Sequence, residues 1–443
     1  MNRIRLSDHF TYRRLGRFVF PSIIMMVFTS VYGIVDGLFV SNFVGKTAFA
    51  AVNIIMPFIM MISAIGFMIG TGGSALVAQA LGERKEKDAN RYFTMLIFFL
   101  FTLAVVLSIL AAVLMRRIGS LLGAEGRLLD LAVIYGRISM ISLPMFMLQN
   151  AFQSFFVAAE KPRLGLAVTV AAGVCNMVMD FVLIALLGWG IEGAAAATVM
   201  SEYIGGLTPF FYFVRKNDSR LRFVRTNVEW RRILKACTNG VSELLSNIAG
   251  SLTSMVYNLQ LIKYLGENGV AAYGVIMYVI FIFIALFVGY TIGSAPLFSY
   301  HYAAGSYKEL HNLYTKSLKL FTVLGILLAV FSWLASPVLS GIFVSYDAKL
   351  LRITIHAMHF TAFSFPTLGF AVFGSAFFTA LGDGAVSAAI SFARTFVFQM
   401  GSVLLLPLVF GVDGIWASAA VASALSAVLT FCFLARKKSI YHY

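Results

Sequence analysis

Asp36 and Asp180 fall deep inside long apolar stretches, where a charge is costly and a functional role is the default reading. Asp36 is flanked by Val35 and Gly37. Asp180 follows Asn176 by four residues, so on a helix the carboxamide and the carboxyl share a face. Thr198 comes just after the small run Gly193 to Ala197, which allows close helix approach. Together these groups can form one oxygen-rich pocket. Burial disfavours an unpaired carboxylate, so such a pocket takes up a proton, or a hard cation such as sodium. A static polar cluster that satisfies itself is the alternative.

Other polar residues are less telling. Glu243 lies near the start of an apolar stretch; it is a candidate for a cation or substrate pathway, or an interfacial glutamate at a helix start. Arg394 joins it as a pathway candidate, and both Arg394 and Arg137 either pair with an acid or snorkel to the interface. His356 and His359 lack a third ligand or an acidic partner in sequence, which favours packing over a metal site. Cys175, Cys237 and Cys432 are widely spaced and read as small core residues, with no disulfide or metal spacing.

The elements that carry these residues are membrane spans. Of the 443 residues 60% are hydrophobic and only 12% charged, too few charges to cover a water-soluble chain of this length. The apolar residues fall in blocks long enough for the roughly 20 residues that cross a bilayer. These run over 18–42, 48–81, 92–115, 129–158, 164–188, 192–214, 236–265, 269–300, 314–345, 350–381, 385–409 and 413–435. The first is long and without a small-residue cleavage site, so no cleavable signal peptide is expected.

The net charge of +15 raises the possibility of nucleic acid, but its placement points to topology instead. Arg3, Arg5, Arg13, Arg14 and Arg17 precede the first block, and the connection 215–235 carries Arg215, Lys216, Arg220, Arg222, Arg225, Arg231, Arg232 and Lys235. Arg84, Lys85, Lys87, Arg91, Lys161 and the tail Arg436, Lys437 and Lys438 fall on the same side. The opposite loops offer fewer, among them Lys46, Arg116, Arg117, Arg127 and Lys263. The positive-inside bias therefore places both termini in the cytoplasm.

The chain also repeats itself. Gly45 and Gly266, Ala50-Ala51 and Ala271-Ala272, and Gly72 and Gly293 are each 221 positions apart, as are Gly190-Ile-Glu-Gly193 and Gly411-Val-Asp-Gly414. Pro144 and Pro366 are 222 apart, as are Phe155-Phe-Val-Ala158 and Phe377-Phe-Thr-Ala380. Six spans per half leave the two halves parallel, related by an axis along the membrane normal. The expected fold is an all-α integral membrane protein of about twelve transmembrane helices in two pseudo-symmetric six-helix bundles. Residues 1–214 form the first bundle, 215–235 a basic cytoplasmic linker and 236–443 the second. At the duplicated positions Asp36 corresponds to Tyr257 and Asp180 to Ser402, so the carboxylates belong to one half only.

The pattern Pro21…Tyr32-Gly-Ile-Val-Asp36…Gly45…Ala50-Ala51, followed by Gly70-Thr-Gly-Gly-Ser74…Gly82, resembles the first two helices of the multidrug and toxic compound extrusion (MATE) family. Gly411-Val-Asp-Gly-Ile-Trp416 is similar to that family's last helix, and Asn239-Gly-Val-Ser-Glu243 resembles a branch close to MepA-type exporters. The resemblance implies secondary active efflux of amphipathic, often cationic organic compounds, driven by protons or sodium ions, with no other cofactor. It also implies a cation site in the first bundle, whose roles fall on Asp36, Asn176, Asp180 and Thr198. The acid that some members carry in the tenth helix is missing, since 363–380 contains none. A monomer in the cytoplasmic membrane is expected, because one chain holds both halves of a cavity. A lipid-linked saccharide flippase is the related alternative, disfavoured by the scarcity of basic residues within the spans. A membrane-embedded enzyme using His356 and His359 is the alternative from a different class.

Overall fold

The computed structural model describes residues 4–345 and 347–443, the side chains of Leu38, Ser41, Lys46 and Glu267 excepted, so Arg3 and the Lys46 side chain lie outside the described residues. All regular structure among them is helical. The first bundle comprises α1 (Tyr12–Phe39, continued by a π turn over Val40–Val44), α2 (Lys46–Gly82), α3 (Glu86–Leu121), α4 (Gly126–Ala158), α5 (Pro162–Met179, continued by a π segment over Asp180–Leu186) and α6 (Gly190–Val214). The second comprises α7 (Trp230–Leu265), α8 (Glu267–Ala303), α9 (Tyr307–Val344), the bent pair α10 (Ala348–Ala362 and Phe365–Leu381), α11 (384–410) and α12 (412–441).

Among the described residues, eight helices are long and apolar enough to cross a membrane alone, and the bent pair makes a ninth span. The longest of these is continuous in hydrogen bonding over Gly384–Tyr441, but Gly411 at φ 57° breaks it into α11 and α12. Gly190, its counterpart 221 residues earlier, has φ 62° and opens α6. Both bundles thus reverse direction between their last two helices on a glycine, the residue that enters positive φ without a Cβ penalty. With α6 and α7, which are less uniformly apolar, the described residues form twelve helices, six in each pseudo-symmetric bundle.

The helices overrun the apolar blocks: α1 starts at Tyr12 rather than 18, and α7 at Trp230, inside the expected linker. Hydropathy marks the length in contact with lipid, whereas backbone hydrogen bonding continues into the polar flanks. The remaining linker is packed rather than loose. Its Arg222 and Val224 amides donate to Asn90 Oδ1 (2.6 Å) and Thr94 Oγ1 (3.1 Å) of α3, and Phe223 stacks on Phe93 at 5.0 Å. The block 350–381 differs from expectation in bending by 52°. Pro366 has no amide to donate to the turn before it, and the helix breaks at Phe363 and Ser364, just ahead of it.

Inside the bundles, buried hydroxyls bond carbonyls one turn back, as Ser139 does to Tyr135 (2.9 Å) and Thr430 to Ser426 (2.8 Å). That satisfies them where no water is at hand. Outward-facing Val113, Leu334 and Val409 are more than 70% exposed, as a lipid-facing surface requires.

The two bundles meet chiefly through two related helix pairs, α1 against α8 and α2 against α7, with α2 also lying against α8. Gly72 lies so close to Ala236 and Gly240 that a Cβ would strike the α7 backbone, and a Cβ on Gly240 would strike the Met68 carbonyl. Gly289 and Gly293 of α8 press likewise on Ile23 and Val19 of α1. All of these lie in the helix halves nearest the two termini.

Candidate functional site

Three of the four residues expected to hold a cation come together in the first bundle. Asp36 of α1 faces Asp180 and Asn176 of α5. Asp180 is fully buried, Asn176 is 3% exposed and Asp36 8%. Asp180 begins the π segment of α5, a local widening of the kind that often accompanies functional residues. Asp36 Oδ1, Asn176 Oδ1 and both Asp180 oxygens have no hydrogen-bond donor among the described residues. Buried acceptors are ordinarily satisfied, and each one left unmade costs about 1–3 kcal/mol or more for a charged group. This cluster of acceptors facing one another without donors is therefore suited to receive a proton or a hard cation.

Thr198 enters indirectly. Its hydroxyl donates to the Ala194 carbonyl (3.2 Å) and is a hydrogen-bond neighbour of the buried Tyr135 of α4. Tyr135 in turn lies in the field of Asp36, Glu202 and Asp180.

Glu202 escaped the sequence reading. It lies on α6 four residues past Thr198, hence on the same helix face, next to Ser142 of α4 and close enough to Asp36 and Tyr32 to influence both. The available signal was its position midway along the apolar block 192–214, one turn past Thr198. Unlike Asp180, Glu202 is only half-buried, as is Tyr32. Gln149 of α4 completes this edge; it is 4% exposed, lies beside Tyr32, packs on Gly205, and leaves its Oε1 unpartnered.

The second bundle answers differently at the equivalent positions. Tyr257, in the place of Asp36, receives a hydrogen bond from Gln399 Nε2 and stacks on Tyr273 at 4.9 Å and 11°. Its surroundings are neutral and its hydroxyl is partnered. Glu243 and Arg394 are brought into one neighbourhood, α7 against α11, and the guanidinium donates to Ser246 Oγ at 3.2 Å. Arg394 thus faces an acid instead of snorkelling, whereas Arg137 is exposed and donates to the Ala112 carbonyl (3.3 Å).

The histidines depart from expectation. His356 does have an acidic partner, Asp413 Oδ1 at 2.8 Å, which lies 57 residues away and comes alongside only when α12 packs on α10. His359 instead stacks on Trp333 (4.2 Å) and meets Ser336 Oγ (2.8 Å). The two rings therefore serve separate contacts, and among the described residues no group of three metal-binding side chains forms. The three cysteines are free.

Comparison with known proteins follows the same outline. The MatE family model matches the chain twice, over residues 21–182 and 244–405, one match per bundle. The multidrug export protein MepA of Staphylococcus saprophyticus is 23% identical over 97% of this chain and 93% of its own length. MepA of Staphylococcus aureus is 22% identical over the same shares. Among solved structures, a crystal structure of MATE in complex with MaL6 superposes with a TM-score of 0.92 at 22% identity, covering 97% of this chain and 96% of that one.

Proposed function

Since the chain belongs to the MatE family of multidrug efflux transporters, we propose that it is a secondary antiporter. It exports amphipathic, cationic organic compounds across the cytoplasmic membrane in exchange for protons or sodium ions. Both termini are cytoplasmic, residues 1–214 and 236–443 act as the two moving units about the linker 215–235, and the working unit is a monomer. The observation that carries this reading is the one-sided set of orphaned acceptors. Asp36 Oδ1 and both Asp180 oxygens lie in one cluster without a donor among the described residues, while Tyr257 at the duplicated position is neutral and satisfied.

Two ionised carboxylates held together out of water repel each other and lose hydration, so the pocket is stable only with a proton or a cation between them. A site that must be filled favours whichever lobe arrangement gives the ion access, and that differential affinity lets an ion gradient drive the lobes. Export of a lipophilic cationic dye from proteoliposomes, under separately imposed proton and sodium gradients, tests this. Asp36→Asn and Asp180→Asn are expected to insert normally and to lose gradient-driven export by at least tenfold. Full export by both variants would sink the proposed site.

A further inference from the structure

We propose that Glu202 is the residue that holds the positive charge of the transported compound, separate from the Asp36–Asp180 pair that couples to the ion. This rests on the antiporter reading and adds a specificity residue to it.

Access is the first ground. Asp180 is sealed and Asp36 nearly so, but Glu202 and Tyr32 form the half-buried edge of the same cluster. A bare ion or a proton can pass to the inner carboxylates, whereas an organic cation reaches only the edge. Charge is the second. Glu202 makes no ion pair among the described residues, and its polar neighbour Ser142 is neutral and gives its hydroxyl to the Ser139 carbonyl. An unpaired carboxylate at membrane depth is expensive, so when Glu202 is ionised its countercharge is one brought from outside the protein. The third is an independent orphan at the same edge. Gln149 packs against Gly205, one turn past Glu202 on α6, and its buried Oε1 has no donor among the described residues. An ammonium or amidinium group between Glu202 and Gln149 would supply one.

The frame suits a planar apolar body as well as a charge. Tyr32 and Phe28 lie with ring centroids 6.0 Å apart, both packed on Gly173 of α5, where a Cβ would collide with them. Aromatic faces beside a carboxylate attract an organic cation by cation–π contact as well as by burial. The compound class is therefore an amphipathic monocation carrying an N–H donor on an aromatic or similarly flat scaffold.

The discriminating experiment compares wild type, Glu202→Gln, Glu202→Asp and Asp36→Asn in proteoliposomes, with ethidium as the cation and an uncharged amphipathic dye of similar size. Equilibrium binding of both dyes to the solubilised proteins is measured in parallel. Glu202→Gln should raise KM and Kd for ethidium at least tenfold while kcat, the gradient dependence and handling of the uncharged dye stay as in wild type. Glu202→Asp should recover part of the affinity, and Asp36→Asn should lose kcat. Unchanged ethidium affinity in Glu202→Gln overturns the inference and leaves the antiporter reading standing. Loss of gradient dependence in Glu202→Gln also overturns it, by making Glu202 part of the ion couple. A wild-type protein that moves neither dye under either gradient refutes the antiporter reading instead.

Discussion

Side chains at the ends of the bundle are as closely specified as those within it. Asp383, between α10 and α11, caps α11 by accepting from the Val386 amide (3.2 Å), and also accepts from Tyr441 Oη (2.8 Å) and pairs with Lys437 Nζ (3.0 Å). Burial alone would push this carboxyl up, but the bonds from Tyr441 and Lys437, then the amide, outweigh it and hold Asp383 below the usual aspartate range. A carboxyl whose folded pKa is depressed contributes stability that is complete above its unfolded pKa and is lost as pH falls through the folded value. Asp383→Ala should therefore lower stability by about 1–2 kcal/mol near neutral pH. In thermal unfolding of the solubilised protein, its deficit relative to wild type should shrink below about pH 4. An equal deficit at pH 3 and pH 7 would contradict this account. The Asp36 to Tyr257 replacement is the contrasting case at this scale. One duplicated position carries a carboxyl oxygen without a donor in the first half and a stacked, hydrogen-bonded ring in the second.

The helices themselves show which local signals were sufficient. Apolar runs located all twelve, because a backbone in lipid must bond internally and a helix does so within one segment. They did not locate the ends. Nor did they show that Pro366 breaks α10 while its counterpart Pro144 leaves α4 continuous, since neighbouring packing decides whether a proline opens a kink. Gly72 and Gly240 show the same limit. Each looks like an ordinary small residue in sequence, yet each lets the backbones of α2 and α7 touch where the bundles meet. Gly72→Leu should overpack that crossing and cost roughly 1–3 kcal/mol. It should also widen the distance between spin labels placed on α2 and α7 near the termini, whereas the same change at Gly250, whose Cβ meets nothing, should do neither.

At the scale of the molecule, the bundles are joined by more than the linker. The amino-terminal segment runs across both of them. The Leu6 amide donates to Glu160 Oε1 (2.9 Å) at the end of α4, which also pairs with Arg220 (3.5 Å). Four residues later, the Phe10 amide donates to Glu309 Oε1 (2.8 Å) at the start of α9, and its carbonyl accepts from Asn312 (3.1 Å) and Lys316. Leu6 and Phe10 are both fully buried. This strap holds the two bundles together at one end, so opening that end requires its release. Glu160→Gln combined with Glu309→Gln should lengthen the separation of spin labels flanking the strap. It should also lower the melting temperature by a few degrees, since about 1 kcal/mol of net hydrogen bonding is at stake at each anchor. Unchanged distances would mean the strap follows the bundles without restraining them.

Much of this was already written along the chain. Periodic apolar blocks, one repeated offset and two carboxylates in one half were enough to state the membrane fold, its duplication and the residues of the inner cluster. The fold follows from composition, the duplication from one offset repeated along the chain, and the cluster from polar groups set inside apolar blocks, all of which can be read from residue types and positions alone. Four features needed the packed molecule: the place of Glu202 at the open edge, the pairing of Arg394 with the surroundings of Glu243, the His356–Asp413 contact, and the strap from Glu160 to Glu309. Each joins residues from different helices, and which helix faces lie against one another is set by close packing of the whole set rather than by any segment alone.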